Sequence, residues 1–152
     1  MSAILSDELY NLLNGKSLED KQHEAMMLIT VSEESWPHTA MISVGEIVAM
    51  DRSLLRLALW PNTETTRNIT RTGKAMVVLF YKEKARYLTL SLHPLNPLPE
   101  AKHHLTRFEA TLTHIKEDVA KYADITSGVQ IELKDRSSVI QRWKETLQEL
   151  LM

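Results

Sequence analysis

The sequence predicts a mostly β, or α+β, chain: a closed or partly closed antiparallel barrel with helices at its ends and in one connection. Three observations predict it. About seven short runs rich in aliphatic residues alternate with polar turns. The first three runs follow one another too closely for a crossover helix, which favours an antiparallel meander over βαβ units. Helical patterning is found at the two ends of the chain and in one connection. The length, 152 residues, suits a single domain spanning 1–152. No internal repeat, low-complexity tract or linker interrupts it.

Each element has its own signal. Ser6 can cap a helix in which Leu9, Leu12 and Leu13 share a face and Asn14-Gly15 closes the turn. Ser17 with Asp20 suggests a second cap. Residues 25–31 (AMMLITV) form a continuous apolar run of strand length, and 32–35 a polar turn. Residues 37–50 read as one long strand with a bulge or bend at Gly45. After the tight turn Asp51-Arg52-Ser53, residues 54–60 form the next strand. Residues 76–81 and 86–93 are two more, joined through Lys82-Glu83-Lys84. Asn96-Pro97-Leu98-Pro99 breaks the pattern. Between 105 and 115, Phe108, Ala110 and Leu112 face one way and Glu109, Thr111 and Thr113 the other. Residues 116–124 are expected to be a short helix with Val119 and Tyr122 inward, and 129–133 a final strand. Asp135 can cap a last helix whose stripe is Val139, Trp143, Leu147 and Leu150.

Composition narrows the function. A net charge of −2 argues against a general nucleic-acid or anionic-membrane binder, which needs a basic surface excess. The absence of cysteine excludes disulfides, thiolate catalysis and cysteine-based metal sites. No apolar run approaches ~18 residues, so no membrane span is expected, and no secretory signal is visible at the start. A cytoplasmic protein is the expectation.

The stretch with chemistry in it is 54–81. Its apolar flanks enclose PNTETTRN, which is rich in hydroxyls. Pro61 stops the preceding strand, and Asn62 or Thr63 can cap a helix. The turn that follows, 64–68, has no apolar residue, and threonine is a mediocre helix former. Two readings remain open. One is an anion site: free N–H groups at a helix start, threonine hydroxyls and the forked guanidinium of Arg67 suit a phosphate, with Arg71 and Lys74 raising the potential. The other is a polar surface connection.

Other candidates carry less. Thr72-Gly73-Lys74 lacks the glycine and the following hydroxyl of a phosphate loop. His103 and His104, with Glu100 or Glu109, could ligate a metal, but adjacent histidines on a strand point to opposite faces, which favours a solvated or dimer-edge pair. His38 reads as a barrel-rim residue.

The order of elements resembles the FMN-binding split barrel of the pyridoxamine 5′-phosphate oxidase-like superfamily, over roughly residues 26–133. The residues that carry the likeness are MMLITVSEESWPHTAMISV, LLRLALWPN and TTRNITRTGKAMVVLF. The resemblance implies an antiparallel split β-barrel with flanking helices. It also implies a homodimer with FMN between subunits, and a reductase- or oxidase-type reaction on a small-molecule substrate. It places the phosphate on Thr63, Thr65, Thr66, Arg67 and Asn68, beside a pocket lined by Trp60, Pro61 and Asn62, and the flavin ring near Met41 and Ser43. The usual phosphate pattern, Ser/Thr-x-Lys-x-x-Asn, falls on Thr63 and Asn68, with Thr65 where the lysine stands. Other superfamily members imply deazaflavin or haem as alternatives. Two further hypotheses stand beside the flavoprotein: a cofactor-free binding or structural dimer with the same barrel, and a small metal-dependent enzyme using His103 or His104.

Overall fold

The computed structural model describes residues 3–152. In chain order the elements are α1 (Asp7–Leu13), α2 (Leu18–Lys21), β1 (Ala25–Val31), β2 (Pro37–Ser43), β3 (Ile47–Ala49), β4 (Leu54–Leu59), α3 (Glu64–Thr72), β5 (Lys74–Tyr81), β6 (Lys84–Pro94), β7 (Thr106–Asp118) and α4 (Arg136–Leu150). The strands form one antiparallel sheet in the order β2-β1-β5-β6-β7-β4-β3, curled into a half-barrel. Among the described residues, no helix is long and apolar enough to cross a membrane.

The predicted mostly β architecture with flanking helices is therefore the observed one, but the path of the chain differs from a meander. The expected long strand 37–50 is two strands. β2 pairs with β1 at one edge of the sheet, and β3 pairs with β4 at the opposite edge. The turn Val44-Gly45-Glu46 joins the two edges, so the sheet must curl for the segment to serve both. Gly45 permits this by close approach: a Cβ there would lie 2.0 Å from Cγ of Trp143 on α4.

Alternation along the strands fills the interior. Leu28, Leu55, Leu57, Val77, Leu88, Leu90, Phe108 and Leu112 are all buried. A β-bulge changes the phase of β7: Thr89 pairs with His114 but Leu90 pairs with Leu112, so Thr113 is left between them. Its hydroxyl donates to the Thr89 carbonyl at 3.1 Å. Beyond the bulge, odd-numbered residues take over the face that even-numbered ones held, and Glu117 comes opposite Arg86. Arg86 is completely buried, with Glu8 and Glu117 carboxylates each 3.4 Å away and Ser6 Oγ at 3.2 Å.

Three smaller expectations are corrected. Residues 116–118 continue β7, because β6 reaches back to Lys84 and its ladder captures them, and residues 119–124 form no helix. Val119 and Tyr122 consequently point to solvent. Residues 129–133 supply only an isolated bridge, Gln130 with Glu24, and flanking backbone bonds to His23 and Ala25. Ser17 sits in the left-handed region (φ 54°), and its side chain makes no capping bond. By contrast Ser6 and Asp135 cap as expected, accepting from Leu9 N and Ser138 N.

Gly45→Ala should lower the unfolding free energy by at least about 1–3 kcal/mol, the usual cost of overpacking. Urea unfolding of Gly45→Ala, Trp143→Ala and the double variant should show the double losing less than the sum of the singles. Strict additivity would mean that the indole does not set the requirement for glycine.

Candidate functional site

The start of α3 is built by its threonines. β4 ends at Leu59, Trp60 leaves the ladder, and Asn62 turns the chain in the left-handed region (φ 64°), which asparagine tolerates. Thr63 then caps α3, accepting from Thr66 N at 3.2 Å. The Thr66 hydroxyl donates to the Trp60 carbonyl at 2.7 Å, and the Thr63 hydroxyl lies 3.1 Å from Thr66 Oγ1. Gly73 closes the helix with φ 68°, its N–H donating to Ile69 O at 2.7 Å.

What holds a helix of such poor propensity is its polar face. Thr65, Thr66, Asn68 and Ile69 are buried against the sheet. Asn68 Nδ2 donates to the buried Thr30 hydroxyl on β1 at 3.0 Å. Arg71 Nη1 donates to Asn68 Oδ1 at 3.1 Å, and its Nη2 to the Val31 carbonyl. His38 on β2 bridges to the helix start, with Nε2 3.2 Å from Thr65 Oγ1 and Nδ1 3.1 Å from Glu64 Oε2. Side-chain hydrogen bonds thus replace the apolar stripe that normally docks a helix.

Beside this seam lies an open groove of roughly 430 Å³ between the 32–38 turn and the exposed side of α3. Trp36, His38, Glu64, Arg67, Asn68 and Arg71 line it, with Glu33 and Glu34 on the turn. Arg67 Nη1 donates to the Asn62 carbonyl at 2.7 Å. Among the described residues, no carboxylate comes within 4.0 Å of the Arg67 or Arg71 guanidinium; Glu64 turns to His38 instead.

The predicted site residues divide into three groups. Arg67 and Asn68 line the groove. Thr63, Thr65 and Thr66 have hydroxyls engaged in fixing the helix start, while Trp60, Pro61 and Asn62 form the exposed approach to it. Met41 is exposed on the outer face of β2. Ser43 is buried, and its hydroxyl donates to Glu46 Oε1 at 2.9 Å, not to the groove. Trp36 and His38 are groove residues that sequence reasoning left outside the pocket, and the signal for them was the WPH segment at the start of β2; Arg71, expected to raise the local potential, lines the groove itself. His103 pairs with Glu145 (3.3 Å), not with Glu100 or Glu109. Among the described residues, no three histidine or acidic side chains are placed to hold a metal ion.

Burial pushes the Glu46 carboxyl above its ordinary pKa, against the lowering effect of the Ser43 hydroxyl and N–H and of the Arg142 charge. This group belongs to the turn that joins the sheet edges and sits beside Trp60, His103 and Trp143.

The sequence is 52% identical over 146 residues to the uncharacterized protein YclD of Bacillus subtilis (strain 168), covering 96% of this chain and 95% of YclD. The chain belongs to the YclD family. No family model matches it. Among solved structures, a candidate pyridoxamine 5′-phosphate oxidase from Lactobacillus delbrueckii superposes with a TM-score of 0.58 at 17% identity, over 74% of this chain and 93% of that one. A variant of HupZ from Group A Streptococcus superposes with a TM-score of 0.60 at 12% identity, over 76% of this chain and 100% of that one. These likenesses show the fold: the split barrel of pyridoxamine 5′-phosphate oxidase-like proteins.

The raised Glu46 pKa has a consequence for stability. The folded protein keeps this proton to a higher pH than the unfolded chain does, so stability falls as pH rises from 4.5 through the raised folded value. Glu46→Gln should remove that loss. Urea midpoints of the variant and the natural protein should diverge in the variant's favour as pH rises past 4.5 and then run parallel. A constant difference across the range would show that Glu46 titrates normally.

Proposed function

We propose that the protein is an FMN-binding flavoprotein, a cytoplasmic oxidoreductase of the pyridoxamine 5′-phosphate oxidase-like type that acts on a small molecule, with the flavin held between two copies of the chain. One observation carries the reading: Arg67 and Arg71 stand four residues apart on α3, line one groove, and have no carboxylate within 4.0 Å among the described residues. Like charges at this helical spacing repel each other. A phosphate placed between them would offset that repulsion and take charge-assisted bonds from both guanidiniums.

The donor set fits a flavin phosphate in a form different from the family pattern. Arg67 and Arg71 replace the missing lysine, and the first N–H groups of α3 add the helix-start potential. Thr63, Thr65, Thr66 and Asn68 would fix the helix that presents these groups. Trp36, Met41 and Trp60, all exposed, would offer apolar contact to the ring. A bound flavin would supply the electron transfer, and the chain would bind, orient and shield it.

A dimer is supported by the outer face of the sheet. Met41, Met27 and Val78 align across β2, β1 and β5, with Thr39, Ile29 and Met76 in the next aligned row. Met41 and Val31 are exposed at its edge. A continuous apolar row on a sheet face, bordered by an edge strand, suits a self-complementary contact.

A second reading, a cofactor-free dimer with the same barrel, is favoured by the hydroxyls' internal bonding and by three glutamates around the groove. The visible spectrum separates the two: oxidised flavin absorbs near ~450 nm. Colourless protein that also fails to take up FMN would leave the second reading standing.

Arg67→Ala should weaken FMN binding by about 10- to 100-fold, since a charge-assisted bond is worth roughly 1.5–3 kcal/mol. It should leave riboflavin, which has no phosphate, unaffected in a parallel fluorescence titration. Equal losses for both ligands would move the phosphate elsewhere. Met41→Lys should convert the dimer to a monomer in light scattering after size exclusion; an unchanged mass would remove the β2 face from the interface.

A further inference from the structure

We propose that a second site, the cavity between β7, the 95–106 loop and α4, binds a small organic carboxylate, with Arg107 as its anchor. The cavity measures roughly 170 Å³. Its walls include Ala58, Leu95, Leu98, Leu105 and Leu150, and Arg107 supplies the charge. Ala58 lies directly opposite Arg107 in the β4–β7 ladder, and its small side chain leaves room beside the guanidinium.

Arg107 is only 8% exposed. Its Nη1 donates to the Asn96 carbonyl at 2.9 Å, and its Nε has no hydrogen-bond partner among the described residues. Among the described residues, no carboxylate comes within 4.0 Å of it. A buried charge without a counter-charge is costly. Burial and the neighbouring Arg56 both push the Arg107 pKa down, while Glu149 on the cavity wall opposes them. The Glu149 carboxylate is itself engaged, with Oε2 accepting from Lys102 N at 2.9 Å. Arg86 provides the contrast within the same chain: it is fully buried and its Nε likewise lacks a hydrogen-bond partner among the described residues, but two carboxylates stand 3.4 Å from its guanidinium. Where Arg86 has two acids in reach, Arg107 has a largely aliphatic space whose acid, Glu149, lies beyond 4.0 Å and is held by Lys102 N.

That combination selects the ligand class. An apolar cavity of about 150 Å³ holds a benzene ring. A ring or branched chain of that size, carrying one carboxylate toward Arg107, matches both the volume and the charge. Inorganic phosphate would leave the aliphatic walls unused. The site shares no residue with the groove at α3, so the proposal is independent of flavin binding.

Calorimetric titration of the full chain with benzoate, isovalerate and uncharged benzyl alcohol tests it. Saturable binding of benzoate or isovalerate, at least tenfold tighter than benzyl alcohol, is expected. Arg107→Gln should lose that preference. Ala101→Phe, at the partly exposed wall, should block binding while leaving the thermal midpoint unchanged, and it decides the matter if Arg107→Gln does not fold. Absence of saturable carboxylate binding to the natural protein, or binding that survives Ala101→Phe undiminished, would overturn the proposal.

Discussion

Residue 45 has to be glycine because the indole of Trp143 occupies the space where any side chain would begin. The contact ties the last helix to the turn that links the two edges of the sheet. β2 and β3 are separated by three residues yet lie at opposite ends of the strand order. The sheet can meet that demand only by curling, and α4 packs against the corner where it does so. Gly15 repeats the arrangement on a smaller scale: it approaches Val48 of β3 and Leu147 of α4, so the N-terminal helix hairpin, the short edge strand and the last helix share one packing centre. The curl in turn places the 32–38 turn next to α3 and creates the groove.

Within that frame α3 is an unusual docking element. Most helices settle on a sheet through an apolar stripe, whereas this one offers Ile69 and otherwise threonine and asparagine. Its position is specified by directional bonds to Thr30, Val31 and His38. Such a seam tolerates little displacement, because each buried polar group must keep its partner. The two arginines on its outer side are therefore held at a defined spacing, as recognition of a small anionic group requires.

The class of fold was legible in the sequence because apolar runs and polar turns are local signals. Ser6, Asp135 and the stripe through Trp143 were equally local, and the structure realises them. What was not legible depends on partners far away in sequence. The 37–50 run carries no mark saying that its halves pair at opposite edges; only the indole against Gly45 imposes the break. Residues 116–118 look helical alone, but the β6 ladder claims them. At the site, PNTETTRN admitted an anion site and a surface connection. Neither reading foresaw that Thr65, Thr66 and Asn68 would be buried, since Asn68 meets Thr30 across 38 positions of sequence.

The unpaired residue in β7 also has a meaning for how this chain can vary. On the near side of Thr113 the inward residues are Phe108, Ala110 and Leu112; on the far side Ile115 and Glu117 align with Leu88 and Arg86. One added residue therefore reconciles an aliphatic interior with a charged end. Its side chain is exposed and, apart from the hydrogen bond to the Thr89 carbonyl, of little consequence. Its presence is not, because deleting it would put every later residue of the strand on the wrong face and strip Arg86 of one of its counter-charges. At this point the fold is strict about the number of residues and permissive about their kind. Homologues should accept many amino acids at this position but no gap.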